Sequence, residues 1–245
     1  MRNKIVLAAF LSIFASSLYA QTINQNTGWF MFLNSTKFND KWGMHFDLQL
    51  RSQDNWDGVR NLLVRPGLTY YINKNSNATV GYLFTQTYLP HQYPVFAEGA
   101  VPYEPKFTLT EHRIWQQYIY NHQPWRGATL SHRFRLEQRF IERQTDDLFS
   151  QRFRYFFRLI QPLERQAEGF SKGVFAALQN ELFFNLQNKD QLNGKLFDQN
   201  RAYLAMGYRF SKKVDLEAGY LNQTIKGLNN STINHAVQLA LYTRF

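Results

Sequence analysis

RGATLSHRFRLEQRFIERQTDDLFSQRFRYFFRLIQPL, residues 126–163, alternates arginine with large apolar side chains through two successive runs. In the first run Arg133, Arg135, Glu137, Arg139 and Arg143 hold odd positions, while Leu130, Phe134, Leu136 and Phe140 hold even ones. In the second run the parity inverts: Arg152, Arg154 and Arg158 are even, and Phe153, Tyr155, Phe157 and Leu159 are odd. A period of two marks a strand whose faces meet different surroundings. If Gln144 to Phe149 is a hairpin loop, cross-strand partners share a constant index sum, and an odd sum gathers both arginine sets on one face. The other face is then a wall of Phe, Leu and Tyr, which must pack on a second sheet or face lipid.

Outward from this hairpin the same alternation recurs over Lys41–Arg51, Leu62–Ile72, Ala78–Thr87, Thr108–Tyr120, Val174–Leu186, Asn200–Phe210, Val214–Asn222 and the final segment to Phe245, and Thr27–Thr36 joins the series as its least clean member, with apolar residues on both faces. Pro66 cannot donate to a ladder and implies a bulge or local break. A sandwich would use strands nearer five or six residues with a mixed polar face in water. Strands of about ten or more residues with one apolar face, and Tyr and Trp near their ends, fit an outer-membrane barrel. The predicted fold class is therefore all-β, an antiparallel transmembrane β-barrel of about 10 to 12 strands. Eleven segments alternate, whereas single-chain bacterial barrels have even strand numbers. The expectation is ten strands, with Thr27–Thr36 outside the wall, or twelve with one more strand, and the ten-strand phasing suits the loop lengths better. Long loops belong outside and short turns in the periplasm, which places Ser52–Gly58 and the Pro-rich segment Leu89–Lys106 on the outer side.

Composition narrows the function classes. The chain has 245 residues and a formal charge of +10. Its arginines alternate within strands beside Glu and Gln instead of clustering, so nucleic acid is not expected as a partner. No cysteine is present, which excludes disulfides, a thiolate nucleophile and Cys-based metal sites. Mean hydropathy is −0.46, and beyond the N-terminus no apolar run reaches the length of a membrane helix. Arg2 and Lys4, the apolar run Ile5–Phe14 and small residues to Ala20 read as a cleavable signal peptide over 1–20, with residues 21–245 as a single barrel domain.

Glu111-His112-Arg113-Ile114-Trp115-Gln116-Gln117, His132–Phe140, Arg152–Leu159, Asn200-Arg201 and Leu216–Gln223 resemble an outer-membrane barrel family known as domain of unknown function 2490. The resemblance covers nearly all of the mature chain. It implies a barrel in a Gram-negative outer membrane and brings no activity with it. Phe245 with Leu241, Leu239 and Val237 resembles the C-terminal signal read by the barrel-assembly machinery, with Thr243 where an aromatic is common. The expected partners are thus outer-membrane lipid and that machinery.

The inward set is predicted to be Glu111, Arg113, Arg133, Arg135, Glu137, Arg139, Arg152, Arg154, Arg158, Glu181, Arg201, Arg209, Asp215 and Glu217, meeting as arginine–carboxylate pairs in a narrow lumen. Bracing of the lumen is the first reading; a narrow anion-preferring channel or small-solute porin is the alternative, since charged rings set pore selectivity. A lipid-modifying enzyme would draw on Ser131, His132, His112 and Glu111, but adjacent Ser131 and His132 point to opposite faces of a strand, so no catalytic residue is assigned. No cofactor is expected. The histidines lack metal spacing, and the loop aspartates Asp54, Asp57, Asp146 and Asp147 read as solvated charge more than as a cation site.

Overall fold

The computed structural model describes residues 21–89, 108–143, 146–164 and 169–245; the expected signal segment 1–20, and all but the first residue of the Pro-rich segment 89–106, lie outside these. Eleven strands close into one barrel in chain order. They are β1 (Gln21–Lys37), β2 (Trp42–Ser52), β3 (Val59–Tyr71), β4 (Ser76–Tyr88), β5 (Thr108–His122), β6 (Thr129–Ile141), β7 (Leu148–Pro162), β8 (Gly173–Asn185), β9 (Phe197–Ser211), β10 (Val214–Lys226) and β11 (Asn230–Arg244). The odd index sum of the arginine hairpin is observed: Arg135 lies opposite Arg154 and Glu137 opposite Arg152, so both sets face the lumen.

The strand number departs from expectation. It is eleven, neither ten nor twelve, and the segment expected to lie outside the wall is a full wall strand, β1. Strand directions alternate around an antiparallel wall, so an odd number brings the first and last strands together pointing the same way. The barrel closes through that one parallel pair, with Gln21–Ser35 of β1 running beside Asn230–Arg244 of β11. All other neighbours are antiparallel.

β1 is longer than its other neighbour, since its pairing with β2 begins only at Trp29 opposite Arg51. The preceding backbone would be an open edge, a liability in any sheet. The β2–β3 connection closes it: the Asp54 carboxylate accepts the Asn26 N–H at 2.7 Å, and the Ser52 hydroxyl accepts the Gly28 N–H at 2.8 Å. The Trp56 ring lies directly over Gly28, where any Cβ would overlap it. Pro66 produces a local break without a bulge. Pairing of β3 with β4 runs to Val64, opposite Phe84, and resumes in the same register at Gly67, opposite Gly81. Gly67 and Gly81 leave a hole that the fully buried Trp115 indole fills, an aromatic covering paired glycines.

Register fixes the bore. Stepping around the wall from partner to partner starts at Lys37 and returns to β1 at Ile23, a shear of 14 residues. With eleven strands this corresponds to a tilt of about 41° and a backbone radius of about 11 Å. An inward arginine spans more than half of that radius, so arginines from several strands meet near the axis.

The chain's lack of cysteine makes the parallel seam directly testable. Phe30 and Leu239 are register partners across it. A Phe30→Cys/Leu239→Cys double variant should cross-link nearly completely under mild oxidation and run as a covalent loop on a denaturing gel. A Thr36→Cys/Leu239→Cys variant, six residues out of register, should not.

Candidate functional site

All fourteen residues of the predicted inward set lie on inward positions of β5 to β10, and the structure joins them into connected groups. Glu137 on β6 has no exposure to water. Its two oxygens accept from Arg154 at 2.6 Å and Arg152 at 2.7 Å, with Arg113 at 3.5 Å and Arg135 at 4.0 Å. Arg154 also reaches Glu181 on β8 at 2.6 Å, which Arg133 meets at 2.7 Å. Glu111 on β5 takes Arg113 at 2.7 Å and Arg139 at 2.5 Å. Two carboxylates on β10 complete the scheme: Glu217 pairs with Arg158 across the bore, and Asp215 takes Arg209 at 2.7 Å.

These groups lie on inward positions because each strand continues its period of two through them, and they pair because the bore brings far-apart strands within one arginine's length. Arg158 and Glu217, on β7 and β10, show the second point. Guanidinium planes are further held against lumen aromatics: Arg135 lies over Trp115 at 4.7 Å, Arg154 over Phe183 at 4.4 Å and Arg158 over Tyr242 at 4.9 Å.

Arg201 is the exception within the predicted set. It donates to the Gln199 amide oxygen at 3.1 and 3.2 Å and has no ion pair among the described residues. Several participants were not predicted. Asp47 on β2 pairs with Arg65 on β3, Asp198 takes Arg152 at 3.2 Å, and Arg244 shares Asp215 at 2.7 Å. The alternation of His45, Asp47, Gln49 and Arg51 in β2 was the available signal for the first of these.

Trp29, an inward residue of β1, was also missed. The Arg51 guanidinium lies 3.9 Å and that of Arg201 5.3 Å from its ring centre. Together they border a cavity of about 230 Å³ lined from the ends of strands nearest the β2–β3, β4–β5, β6–β7, β8–β9 and β10–β11 connections. This is the end expected to face outward. Phe175, Tyr203 and Ala236 form one buried apolar cluster with Trp29, and Trp115 is likewise unexposed.

Other candidates separate. Ser131 points into the lumen and donates to Asn121 at 2.5 Å. His132 points outward, 2.9 Å from the Tyr155 hydroxyl and stacked on His122. The barrel wall stands between them. Of the loop aspartates, Asp54 caps the β1 edge, and no group of three or more potential metal ligands occurs among the described residues. The C-terminal set Val237, Leu239, Leu241 and Phe245 follows one parity, with Val237, Leu239 and Phe245 strongly exposed on the outer surface. Phe245 is tied to β1 through its backbone, its N–H donating to Ser35 at 2.9 Å and its carbonyl accepting from Lys37 at 2.6 Å.

The sequence profile of the family described as "Protein of unknown function (DUF2490)" matches residues 26–234. The chain belongs to this family. Its matched region contains every predicted lumen residue, so the charge groups lie within the family's own domain. An uncharacterised protein of Methylorubrum extorquens is 30% identical over 136 residues, 55% of this chain and 57% of that protein. The matched part thus spans a little over half the length of that relative. No solved structure matches the chain.

Glu137 is the residue on which the bracing should depend most. Removing one partner from a buried ionic group leaves unpaired charge and costs about 3–5 kcal/mol. Glu137→Gln should therefore lower the stability of the folded barrel by about that amount in urea titrations followed by tryptophan fluorescence. Leu204→Ile, at an exposed apolar position of the outer face, should change it by under about 1 kcal/mol.

Proposed function

We propose that the protein is an integral outer-membrane β-barrel, without enzymatic activity, whose charged lumen serves first as an internal brace. The observation that carries this reading is the pairing of an apolar outer wall with a filled, ion-paired interior. Phe30, Trp42, Met44, Leu68, Val80, Tyr82, Ile114, Phe134, Leu178, Leu204, Met206, Tyr220 and Val237 all face out and are exposed, far more apolar surface than a protein in water leaves uncovered. Arg135, Glu137 and Glu217 face in and are almost wholly removed from solvent. A barrel in water would show the reverse.

Polar groups on the outer wall supply a second line of support, because they satisfy one another. Gln116 and Gln138 exchange hydrogen bonds at 3.1 and 3.2 Å, and Asn180 and Asn200 do so at 3.2 and 2.9 Å. Tyr220 meets His235 at 2.6 Å, and Tyr82 meets His112. Water would satisfy such groups one by one, whereas hydrocarbon makes mutual pairing necessary. Closure of the wall through the parallel seam fits the same requirement, since an open edge is not tolerated in hydrocarbon.

A filled lumen also favours bracing over a narrow anion-preferring path. The inward aromatics Trp115, Phe175, Tyr203 and Phe183 occupy the bore together with the ion pairs and are essentially unexposed. On this reading the purified protein migrates faster on a gel unboiled than boiled, and planar bilayers containing it show no steady conductance. Identical migration of the two samples would count against the membrane barrel. Steady anion-selective conductance would replace the brace with a pore.

A further inference from the structure

From the cavity beside Trp29 we infer a binding site for a small, multiply charged oxyanion, of which a phosphate monoester of a small polar molecule is the fitting class. Seven arginines and a single carboxylate, Glu111, face this cavity. Four of the seven are engaged by carboxylates: Arg65 by Asp47, Arg113 by Glu111, Arg152 by Glu137 and Asp198, and Arg154 by Glu137 and Glu181.

The remaining three have only neutral partners among the described residues. Arg51 donates to the Gln49 amide oxygen at 2.6 Å, Arg60 to Gln25 at 2.8 Å, and Arg201 to Gln199. The Arg51 Nε–H is buried and has no acceptor among the described residues. An amide oxygen satisfies a donor but brings no countercharge, so the upper lumen carries positive charge that the protein itself does not balance. At the opposite end the arginines do meet a carboxylate, Arg209 and Arg244 sharing Asp215.

Geometry makes this excess charge a site. Arg51 and Arg201 approach the Trp29 indole from β2 and β9, and that ring holds both guanidinium planes beside the cavity. Two converging guanidinium forks are suited to oxygen atoms of a phosphate, which they bind bidentately. Three uncompensated cations call for more than one negative charge, and a phosphate monoester carries about −1.5 to −2 at neutral pH. A carboxylate would leave most of the imbalance in place.

Size and polarity define the rest of the ligand. The cavity of about 230 Å³ holds more than a bare phosphate, yet falls below the volume of sites for drug-sized molecules. Thr85, Thr87, Asn61, Gln223 and Asn234 line it with hydroxyl and amide groups, suited to a hydroxylated remainder and not to an acyl chain. The apolar wall separates it from the lipid side, so a soluble monoester is the expected source in preference to a lipid headgroup.

The test is calorimetric titration of the full-length protein folded in detergent, with inorganic phosphate, glycerol 3-phosphate and glycerol as separate probes. Glycerol 3-phosphate should bind saturably at one site per chain and more tightly than inorganic phosphate, and glycerol should give no saturable heat. Arg51→Gln and Arg201→Gln should each weaken the phosphate compounds at least about tenfold. Arg60→Gln, at the second residue of β3 and outside the ion-paired groups, provides a variant whose folding is not at stake and should weaken them to a smaller extent. Heat-dependent gel migration identifies any variant that has failed to fold. No saturable binding by the wild-type protein up to about 10 mM of either phosphate compound overturns the site, as does unchanged affinity in folded Arg51→Gln and Arg201→Gln. Neither result bears on whether the barrel spans a membrane or conducts. Saturable binding of an anionic lipid dispersed in the same detergent, with no response to glycerol 3-phosphate, would likewise defeat the soluble-ligand assignment.

Discussion

Glu137, a carboxylate out of reach of water, lies within 4.0 Å of four guanidinium groups from β5, β6 and β7. So many cations around one anion are eased by sharing: Arg113 is shared with Glu111, Arg154 with Glu181 and Arg152 with Asp198, while Arg135 donates to the Gln117 amide oxygen. The ion pairs around Glu137 therefore form one connected mesh from β5 to β9, and its geometry depends on the register of every hairpin it crosses. A slip of one residue in β6 would turn Arg133, Arg135, Glu137 and Arg139 outward together. Buried pairs gain little net stability over a well-packed apolar core, because desolvation offsets the attraction. Their stronger effect is to exclude alternative registers, each of which would strand several charges.

The mesh also explains how a barrel of eleven strands keeps a solid interior. A radius of about 11 Å is too wide for a layer of aliphatic side chains to fill and too narrow to leave long inward side chains apart. Arginine reaches across this distance, and its flat guanidinium stacks on the rings of Trp115, Phe183 and Tyr242, which occupy the volume between ion pairs. The wall helps where it comes closest. Gly67 and Gly81 make room for Trp115, and Gly207 does so for Phe175.

Much of this was legible in the sequence, and the parts that were not share a physical cause. The inverted parity of Arg133–Arg139 and Arg152–Arg158 depends only on a local hairpin, so the inward face could be read directly. Strand number could not, because closure is decided by β1 and β11, which meet across almost the whole chain, with Trp29 opposite Gln238. β1 further concealed itself by carrying apolar residues at both parities. Its inward Trp29 is aromatic because it serves two arginines, and this exchange of a polar inward residue for a ring erases the alternation that identifies a wall strand. Phe183 in β8 blurs the pattern for the same reason, and Phe175 does so because its ring fills the space over Gly207. Asp47 and Arg51 were visible as polar positions of β2, but their opposite fates, one paired and one left with an amide, depend on neighbours from β3 and β9.

That difference in fate divides the lumen into two working parts. Where arginine faces carboxylate, the interior is self-sufficient and needs nothing from solution. Where arginine faces glutamine, as at Arg51 with Gln49 and Arg201 with Gln199, the wall supplies orientation without neutralisation. Each of these amides works in two directions: Gln49 accepts from Arg51 and donates to Asp47, and Gln199 accepts from Arg201 and donates to Asp198. The amides at these positions hold the guanidinium groups in place while leaving their charge available. The charge mesh below then acts as a rigid floor, fixing β2, β7 and β9 so that Arg51 and Arg201 meet Trp29 at a constant separation. In that arrangement the brace is the condition for the site above it, and the two depend on the same register.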